Sequence, residues 1–558
     1  MNSIWNNRVT HRLVLGANCF GAAALLLVFP ALHAGVVVAN FLGHLFVLGL
    51  QLVTTRLPRV ILPQRRQRGR EPFVSIHVPA HNEPPELLIE TLRSLSRIQW
   101  SHYEVLVIDN NTSDPQLWRP VAEFCRELGS RFRFFHVENL EGFKAGALNY
   151  VRRFMDPTAD FIFVVDADYV VKADCLRRAM SYCADPKIGL IQFPQEYRNI
   201  GRGNCGVALD FKHFFAAYMN MANRLECVPS TGTLSLINVP ALRAVNGFSE
   251  QMITEDADLG VRLALRGYKC IYVHEVIGYG VLPHDLGSLK KQRWRWAFGN
   301  AQILKLNWRR ILSSRELRWR QKLGFLSHLT AWCDFNLIPS LSLILLAPLA
   351  LLDWLSPLQY YIVILSGLTL ATFMVLRFGT LFYGLRRDGH SLQDIWLAYF
   401  THLGLGWIFS ASWLKCLWNH RSPFVRTNKF LNQHVPGFIR AAFVELTLGC
   451  ALLAAGVVLA VSDFLVGPLA ACLMCAARFA VVWIWHQMRY TLRLTRGLQD
   501  ADAGHRRASD FHSRAADTQA GLYSRLYAQS KGPRSTLLGI VAKPRSAMAD
   551  PRGVSPTE

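Results

Sequence analysis

Acidic residues are scarce: Asp and Glu number 39 against 61 Lys and Arg, leaving a net charge of +22 over 558 residues. A chain this basic needs an anionic partner, which is lipid, nucleic acid or a phosphorylated substrate. Cysteine pairs are also lacking. The 12 cysteines are scattered singly, with neither metal-ligand nor disulfide-framework spacing, so a disulfide-stapled secreted fold is excluded and reduced cytosolic thiols are expected. Cys472-Leu-Met-Cys475 matches C-x-x-C but lies inside an apolar run, where a redox or metal role is not expected. Nor are Lys and Arg gathered on one soluble block, as a nucleic-acid-binding face requires. Many arginines flank apolar runs instead, which points to a lipid bilayer and away from nucleic acid.

What the chain has in abundance is apolar sequence, 51% of its residues. A ~30 Å hydrocarbon core takes about 20 apolar helical residues. Runs of that length occur near 13–32, 36–57, 325–352, 361–383, 441–461 and 466–488. The first is too long, and too closely followed by a second, for a cleaved signal peptide. Arg8 and Arg12 precede the first run; Arg56, Arg59, Arg65, Arg66, Arg68 and Arg70 follow the second; Arg386 and Arg387 follow the fourth; Arg489, Arg493 and Arg496 follow the sixth. The short loops on the other side carry no Lys or Arg, so both termini and the long middle block are expected in the cytoplasm.

The expected organisation is two transmembrane helices over 1–57, a cytoplasmic domain with interface helices over 58–320, and two transmembrane helices over 321–390. An interface helix and loop over 391–436, two further transmembrane helices over 437–490 and a polar tail over 491–558 complete it. Inside the middle block, short β runs alternate with helical ones. Phe73–Pro79, Tyr103–Asp109, Phe132–His136 and Phe161–Asp166 read as strands, with helices from Pro84, near Leu117–Leu128, from Gly142 and from Ala173. Buried strands alternating with helices predict a mostly parallel, doubly wound α/β sheet, with ligands at the carboxyl ends of its strands.

Chemistry-bearing residues cluster at those ends. Asp166-Ala-Asp168 leaves an apolar strand, and two carboxylates one residue apart can hold Mg²⁺ or Mn²⁺ against a diphosphate. Asp109 ends the second strand, where a carboxylate can accept from a base or ribose; beside Asn110 and Asn111 it also suits a turn. Lys144, in Gly142-Phe-Lys-Ala-Gly-Ala-Leu-Asn149, can reach phosphate oxygens. Thr254-Glu255-Asp256 opens a helix. Deprotonating a sugar hydroxyl needs a positioned base, and Asp256 is the candidate; two acids and a capping Thr254 would equally suit a helix N-terminus. In Gln292-Arg-Trp-Arg295-Trp296, the Trp rings can stack on pyranose faces and Arg295 can grip a diphosphate. A juxtamembrane aromatic belt would read similarly.

D-x-D, Thr-Glu-Asp and Gln-x-x-Arg-Trp in this order resemble the family-2 processive glycosyltransferases: cellulose, hyaluronan and chitin synthases and curdlan-type glucan synthases. The resemblance runs from Phe73 to His486. It implies a GT-A-type α/β domain inserted between transmembrane helices in a bacterial inner membrane. It further implies an inverting transferase that takes a UDP-sugar, UDP-glucose in the main reading, and extends and secretes a growing β-linked polysaccharide. On this resemblance Pro79–Glu83 forms the nucleotide loop with Glu83 near uracil, and Asp109 contacts uridine. Asp166 and Asp168 hold the metal and diphosphate, Asp256 is the base, and Gln292, Arg295 and Trp296 bind the acceptor and pyrophosphate. Phe424-Val-Arg-Thr427-Asn-Lys429 resembles the loop that closes over the nucleotide. Polar residues in the apolar runs (Asp334, Glu445, Arg478, His486), with Trp332, would line a polysaccharide channel, and periplasmic accessory or export subunits have a place in such a scheme.

There are departures. Asn110 stands where cellulose synthases have a second Asp, and Val228–Gly232 replaces Phe-Phe-Cys-Gly-Ser. A fused PilZ domain is not expected after the last span. These features move the likeness towards bacterial β-1,3-type glucan synthases. The linkage stays open, as does a non-processive transferase acting on a lipid or lipid-linked acceptor.

Overall fold

The computed structural model describes residues 21, 24–54, 71–419 and 437–505. A helix, α1 (Pro30–Thr54), precedes an α/β block. That block runs β1 (Val74–Ala80), α2 (Pro85–Leu95), β2 (Tyr103–Asn110), α3 (Pro115–Glu127), β3 (Phe132–Val137), α4 (Phe143–Val151), β4 (Phe161–Val164), β5 (Val170–Val171), β6 (Ile188–Gln192) and β7 (Glu196–Tyr197). It continues through α5 (Cys205–His213), β8 (Ser235–Asn238), α6 (Glu255–Ala264), β9 (Lys269–Tyr272), β10 (Gly278–Gly280) and α7 (Leu286–Ser313). Then come α8 (Trp319–Leu329), α9 (Leu337–Leu351), α10 (Pro357–Arg387), α11 (Leu392–Trp418), α12 (Phe438–Val461), α13 (Val466–Phe479) and α14 (Val481–His505).

Seven strands form the main sheet in the order β3-β2-β1-β4-β8-β6-β9, and only β8 runs against its neighbours. β1 and β2 are buried at every position, as expected of strands covered on both faces. The strand order reverses between β1 and β4, so the carboxyl ends of these two strands open a crevice between them. The loops after β1, β2 and β4 supply three of the expected site segments. A small sheet, β5-β10-β7, sits beside it and carries the chain into the loop before α7.

Four described helical stretches are long and apolar enough to cross a membrane: 30–54, 357–386, 438–461 and 466–497. The expected span at 325–352 is instead broken. α8 ends at Leu329, α9 starts at Leu337 and spans 15 residues, and the chain between is unwound. Neighbouring helices satisfy that unwound backbone: Asn40 Nδ2 donates to the Phe335 carbonyl at 3.1 Å, and Ser410 Oγ to the Asp334 carbonyl at 2.5 Å. Irregular backbone at membrane depth is tolerated only where protein covers it in this way. The run at 466–488 also divides, at Ala480, into α13 and α14. α11, expected at an interface, wears its polarity inside. Thr401, His402, Ser410 and Ser412 are buried, whereas Trp396, Phe400, Leu417 and Trp418 are exposed.

Among the residues expected to line a channel, Trp332 and Asp334 do face the protein interior, but that interior is filled. Trp332 stacks on Phe214 at 5.3 Å and packs on Trp296 at 5.6 Å and Phe409 at 5.3 Å. Asp334 pairs with Arg377 at 2.6 Å. Glu445 is fully buried against Lys290 at 2.6 Å and the Trp407 ring nitrogen at 2.9 Å. Arg478 donates to Asn336 at 2.5 Å, whereas His486 is exposed. Asp334 and Glu445 are each stabilised by a buried cation, and Arg478 by hydrogen bonds to Asn336 and the Leu403 carbonyl, as a dry interior demands.

Candidate active site

One open-mouthed cleft gathers nearly every expected residue. Pro79, His81 and Glu83 come from the end of β1, Asn110 and Asn111 from the end of β2, and Asp166 and Asp168 from the loop after β4. Lys144 is on α4, Thr254, Glu255 and Asp256 are at the start of α6, and Gln292, Arg295 and Trp296 are on α7. The last three are spaced i, i+3, i+4 and therefore share one helix face. Arg293, three positions before Trp296, lies beside it with its guanidinium 5.0 Å from the Trp296 ring, and is fully buried among Asp210, Phe211 and Trp332.

Asp109 is the exception. It ends β2 as expected, but it is buried and does not line the cleft. β2 and β3 align it with His136, whose Nδ1 lies 2.8 Å from one carboxylate oxygen, and Thr112 Oγ1 donates to the other at 2.7 Å. Burial pushes its carboxyl up, against these two contacts. Asn110 and Asn111 are what the β2 end presents to the cleft. Phe424, Thr427 and Lys429 lie outside the described residues.

The acidic centre is organised by Lys144. Its ammonium donates to Asp166 Oδ1 at 2.5 Å and to the Gly232 carbonyl at 2.7 Å. Burial works against its charge, but Asp166, Glu255 and Asp256 outweigh burial and hold the ammonium protonated. Glu255 and Asp256 both have raised pKa values. Burial is the main cause for each; for Glu255 the neighbouring Asp256 adds to it, while Lys144 opposes the shift in both. Two adjacent carboxyls, Glu255 buried and Asp256 half-buried, resist ionising together. Asp256 Oδ1 also accepts from the Ala257 amide at 2.9 Å, so the helix N-terminus steadies its charged form. Thr254 makes no such cap. Its side chain abuts α7 instead: a Cβ on Gly299 would fall 2.2 Å from Thr254 Oγ1, so a glycine is needed there.

Sequence reasoning missed the loop that joins these pieces. Gln192 is fully buried; its Oε1 accepts from the Thr231 amide at 2.8 Å and Ser235 Oγ at 2.7 Å, and its Nε2 donates to the Thr233 carbonyl at 2.9 Å. The loop so held offers Thr233 Oγ1 to the Asp166 amide at 3.0 Å and the Gly232 carbonyl to Lys144. Gly232 has φ +83°, and a Cβ there would come 2.6 Å from Asp256 Oδ2. A lone Gln ending an apolar strand and a Thr-Gly-Thr turn were the available signals. Tyr169, Gln195, Tyr197, the 281–284 segment and Thr495 also line the cleft, and no local motif marked them.

The donor set suits a hard divalent cation. No group of three or more His, Cys, Asp or Glu able to hold a metal is found among the described residues. Asp166 and Asp168 would therefore supply only part of a coordination sphere, with the rest left to diphosphate oxygens and water. That arrangement fits Mg²⁺ or Mn²⁺ and not a softer metal.

Two stretches of the chain match known protein families. Residues 161–409 match the family model described as glycosyl transferase family group 2, and residues 75–245 match glycosyl transferase family 2. Glucomannan 4-beta-mannosyltransferase 7 of Arabidopsis thaliana is 26% identical over 288 residues, covering 48% of this chain and 51% of that protein. Cellulose synthase 2 of Novacetimonas hansenii is 26% identical over 334 residues, covering 58% of this chain and 20% of that protein. The chain thus spans about half the length of the plant relatives and about a fifth of the bacterial ones. Among solved structures, a mannosyltransferase from Pyrobaculum calidifontis in complex with GDP-Man and Mn²⁺ aligns with a TM-score of 0.46 at 18% identity, over 70% of this chain and all of that one.

Proposed function

Because this chain carries a glycosyltransferase family 2 catalytic domain of GT-A type, joined to helices that could span a membrane, we propose that it is a processive, inverting β-glycan synthase. The observation that carries this reading is the convergence of Asp166, Asp168, Asp256, Gln292, Arg295 and Trp296, from three separate segments, on one cleft. In this reading a UDP-sugar, with UDP-glucose as the first candidate, lies with its nucleotide against Pro79, Glu83 and Asn110. Its diphosphate lies near Lys144 and Arg295, whose charges favour the departing nucleoside diphosphate. Asp166 and Asp168 would hold Mg²⁺ or Mn²⁺, which when bound offsets charge on that leaving group. The acceptor sugar rests on Trp296. Asp256 takes the proton of its terminal hydroxyl as the oxygen attacks the anomeric carbon; the donor C–O bond breaks on the opposite face and configuration inverts from α to β. Phe424, Thr427 and Lys429 are proposed to close over the donor. The catalytic domain and both termini are assigned to the cytoplasmic side of an inner membrane.

Likeness to glucomannan mannosyltransferases favours a second reading in which the transferred sugar is mannose. Membranes containing the protein, supplied with labelled UDP-glucose or GDP-mannose, distinguish the donors. Label in polymer of high molecular mass supports processive synthesis, whereas label confined to glycolipid assigns a single-transfer enzyme, and linkage analysis of the product names the bond.

Metal dependence is expected to be complete. Chelation abolishes transfer and Mg²⁺ or Mn²⁺ restores it, while Asp168→Ala is inactive under all three conditions with unchanged thermal unfolding. Transfer that persists in chelator removes Asp166 and Asp168 from the role of metal ligands.

A further inference from the structure

The last described helix does not stop at the membrane. α14 runs unbroken from Val481, inside the apolar stretch 466–497, to His505, and Thr495 near its far end lines the cleft. Gln487, Thr491 and Thr495 recur every four residues, share one face, and are buried. Each bonds a different point of the catalytic domain. The Val207 amide donates to Gln487 Oε1 at 2.9 Å, Asn204 Nδ2 to Thr491 Oγ1 at 2.8 Å, and Asn199 Nδ2 to Thr495 Oγ1 at 3.0 Å. Between these rungs Tyr490 covers Gly201 and Gly203, where a Cβ would come within 2.6 Å of its hydroxyl oxygen and 2.5 Å of its ring, respectively.

The Thr495 rung reaches the site. Asn199, fully buried, accepts from the Leu282 amide at 2.8 Å and donates to the Leu282 carbonyl at 3.1 Å, so it clamps both polar groups of a residue in the cleft wall. Asn199 also follows Tyr197 closely in the chain. The Tyr197 ring packs edge-on against Phe211 at 5.2 Å, and Phe211 packs edge-on against Trp296 at 5.4 Å. The wall held by Thr495 is thus linked through Tyr197 and Phe211 to Trp296.

We propose that α14 is a wall of the acceptor end of the cleft and that Thr495 is a positioning residue, acting through Asn199 to hold 281–284 against the acceptor saccharide. This rests on the reading of the cleft as a glycosyl-transfer site. The helix that leaves the membrane would then set acceptor placement directly, with no intervening domain.

Thr495→Val keeps shape and removes the hydroxyl; Thr495→Ser restores it. Gln487→Leu breaks the same ladder two turns from the cleft and serves as the control for plain stability. In Thr495→Val, amide exchange at Leu282 is expected to accelerate about five- to tenfold, in line with loss of one buried hydrogen bond. The kcat/KM for polymer extension falls by a similar factor, and UDP affinity stays within about twofold. Thr495→Ser returns both values to wild type, and Gln487→Leu lowers the unfolding temperature without speeding exchange at Leu282. Unchanged exchange at Leu282 in Thr495→Val, or the same kinetic loss in Gln487→Leu, overturns the proposal. The exchange measurement needs no turnover. Accelerated exchange in a protein that transfers none of the sugars offered therefore upholds the role of Thr495 and counts against the assigned reaction alone.

Discussion

Asp256→Asn is expected to lower transfer by about 10²–10⁴-fold, the usual contribution of a positioned general base. The amide preserves the shape of the side chain and an oxygen able to accept from the Ala257 amide, as Asp256 Oδ1 does at 2.9 Å. What is lost is the ability to take a proton from the acceptor hydroxyl. Lys144 keeps both its hydrogen-bond partners, Asp166 and the Gly232 carbonyl, so UDP affinity should stay within about twofold and the loss should fall on kcat. The raised pKa of Asp256 sets the sign of the pH dependence. A base must be unprotonated to act, so activity is lost as pH falls through its pKa, and burial moves that limb above the ordinary carboxylate range. In Asp256→Asn the limb attributable to this residue disappears from the residual rate. Turnover above about a tenth of wild type, with UDP binding intact, assigns the proton to another group, for which Glu255 is the nearest buried carboxyl.

The second large effect is structural. Arg293→Met should destabilise the protein by about 3–5 kcal/mol, because removing one member of a buried ion pair strands the other. Arg293 is fully buried and pairs with the equally buried Asp210, while its guanidinium lies 3.9 Å from the Phe211 ring centre and 5.0 Å from those of Trp296 and Trp332. Asp210 is left with His402 Nδ1 at 3.1 Å. Restoring neutrality with Asp210→Asn in the Arg293→Met background should recover a large part of the loss, because neither partner then needs a counter-charge. Reversible unfolding of the four variants in detergent gives the coupling between the two sites. A single-variant cost under about 1 kcal/mol contradicts a dry pair. The same cycle tests the geometry of α7, since Arg293 anchors that helix beside Trp296, its neighbour one turn on.

Much of the site was readable because it depends on local periodicity. Buried β runs alternating with helices set the sheet, and a strand that ends in carboxylates delivers them to its carboxyl edge, as Asp166 and Asp168 show. Helical spacing alone puts Gln292, Arg295 and Trp296 on one face. Apolar length marked most of the long helices. Other features depend on which distant segments meet, and no local pattern encodes that. The β2–β3 register gives Asp109 to His136 and leaves Asn110 to the cleft. A carbonyl at Gly232, reached across the fold, captures Lys144, and polar side chains from other helices allow the backbone to unwind between Leu329 and Leu337. The four-residue spacing of Gln487, Thr491 and Thr495 puts them on one helix face and says no more than that. That its partners are Val207, Asn204 and Asn199, and that Thr495 therefore borders the cleft, follows from the path of some 290 intervening residues, and only packing among them decides it.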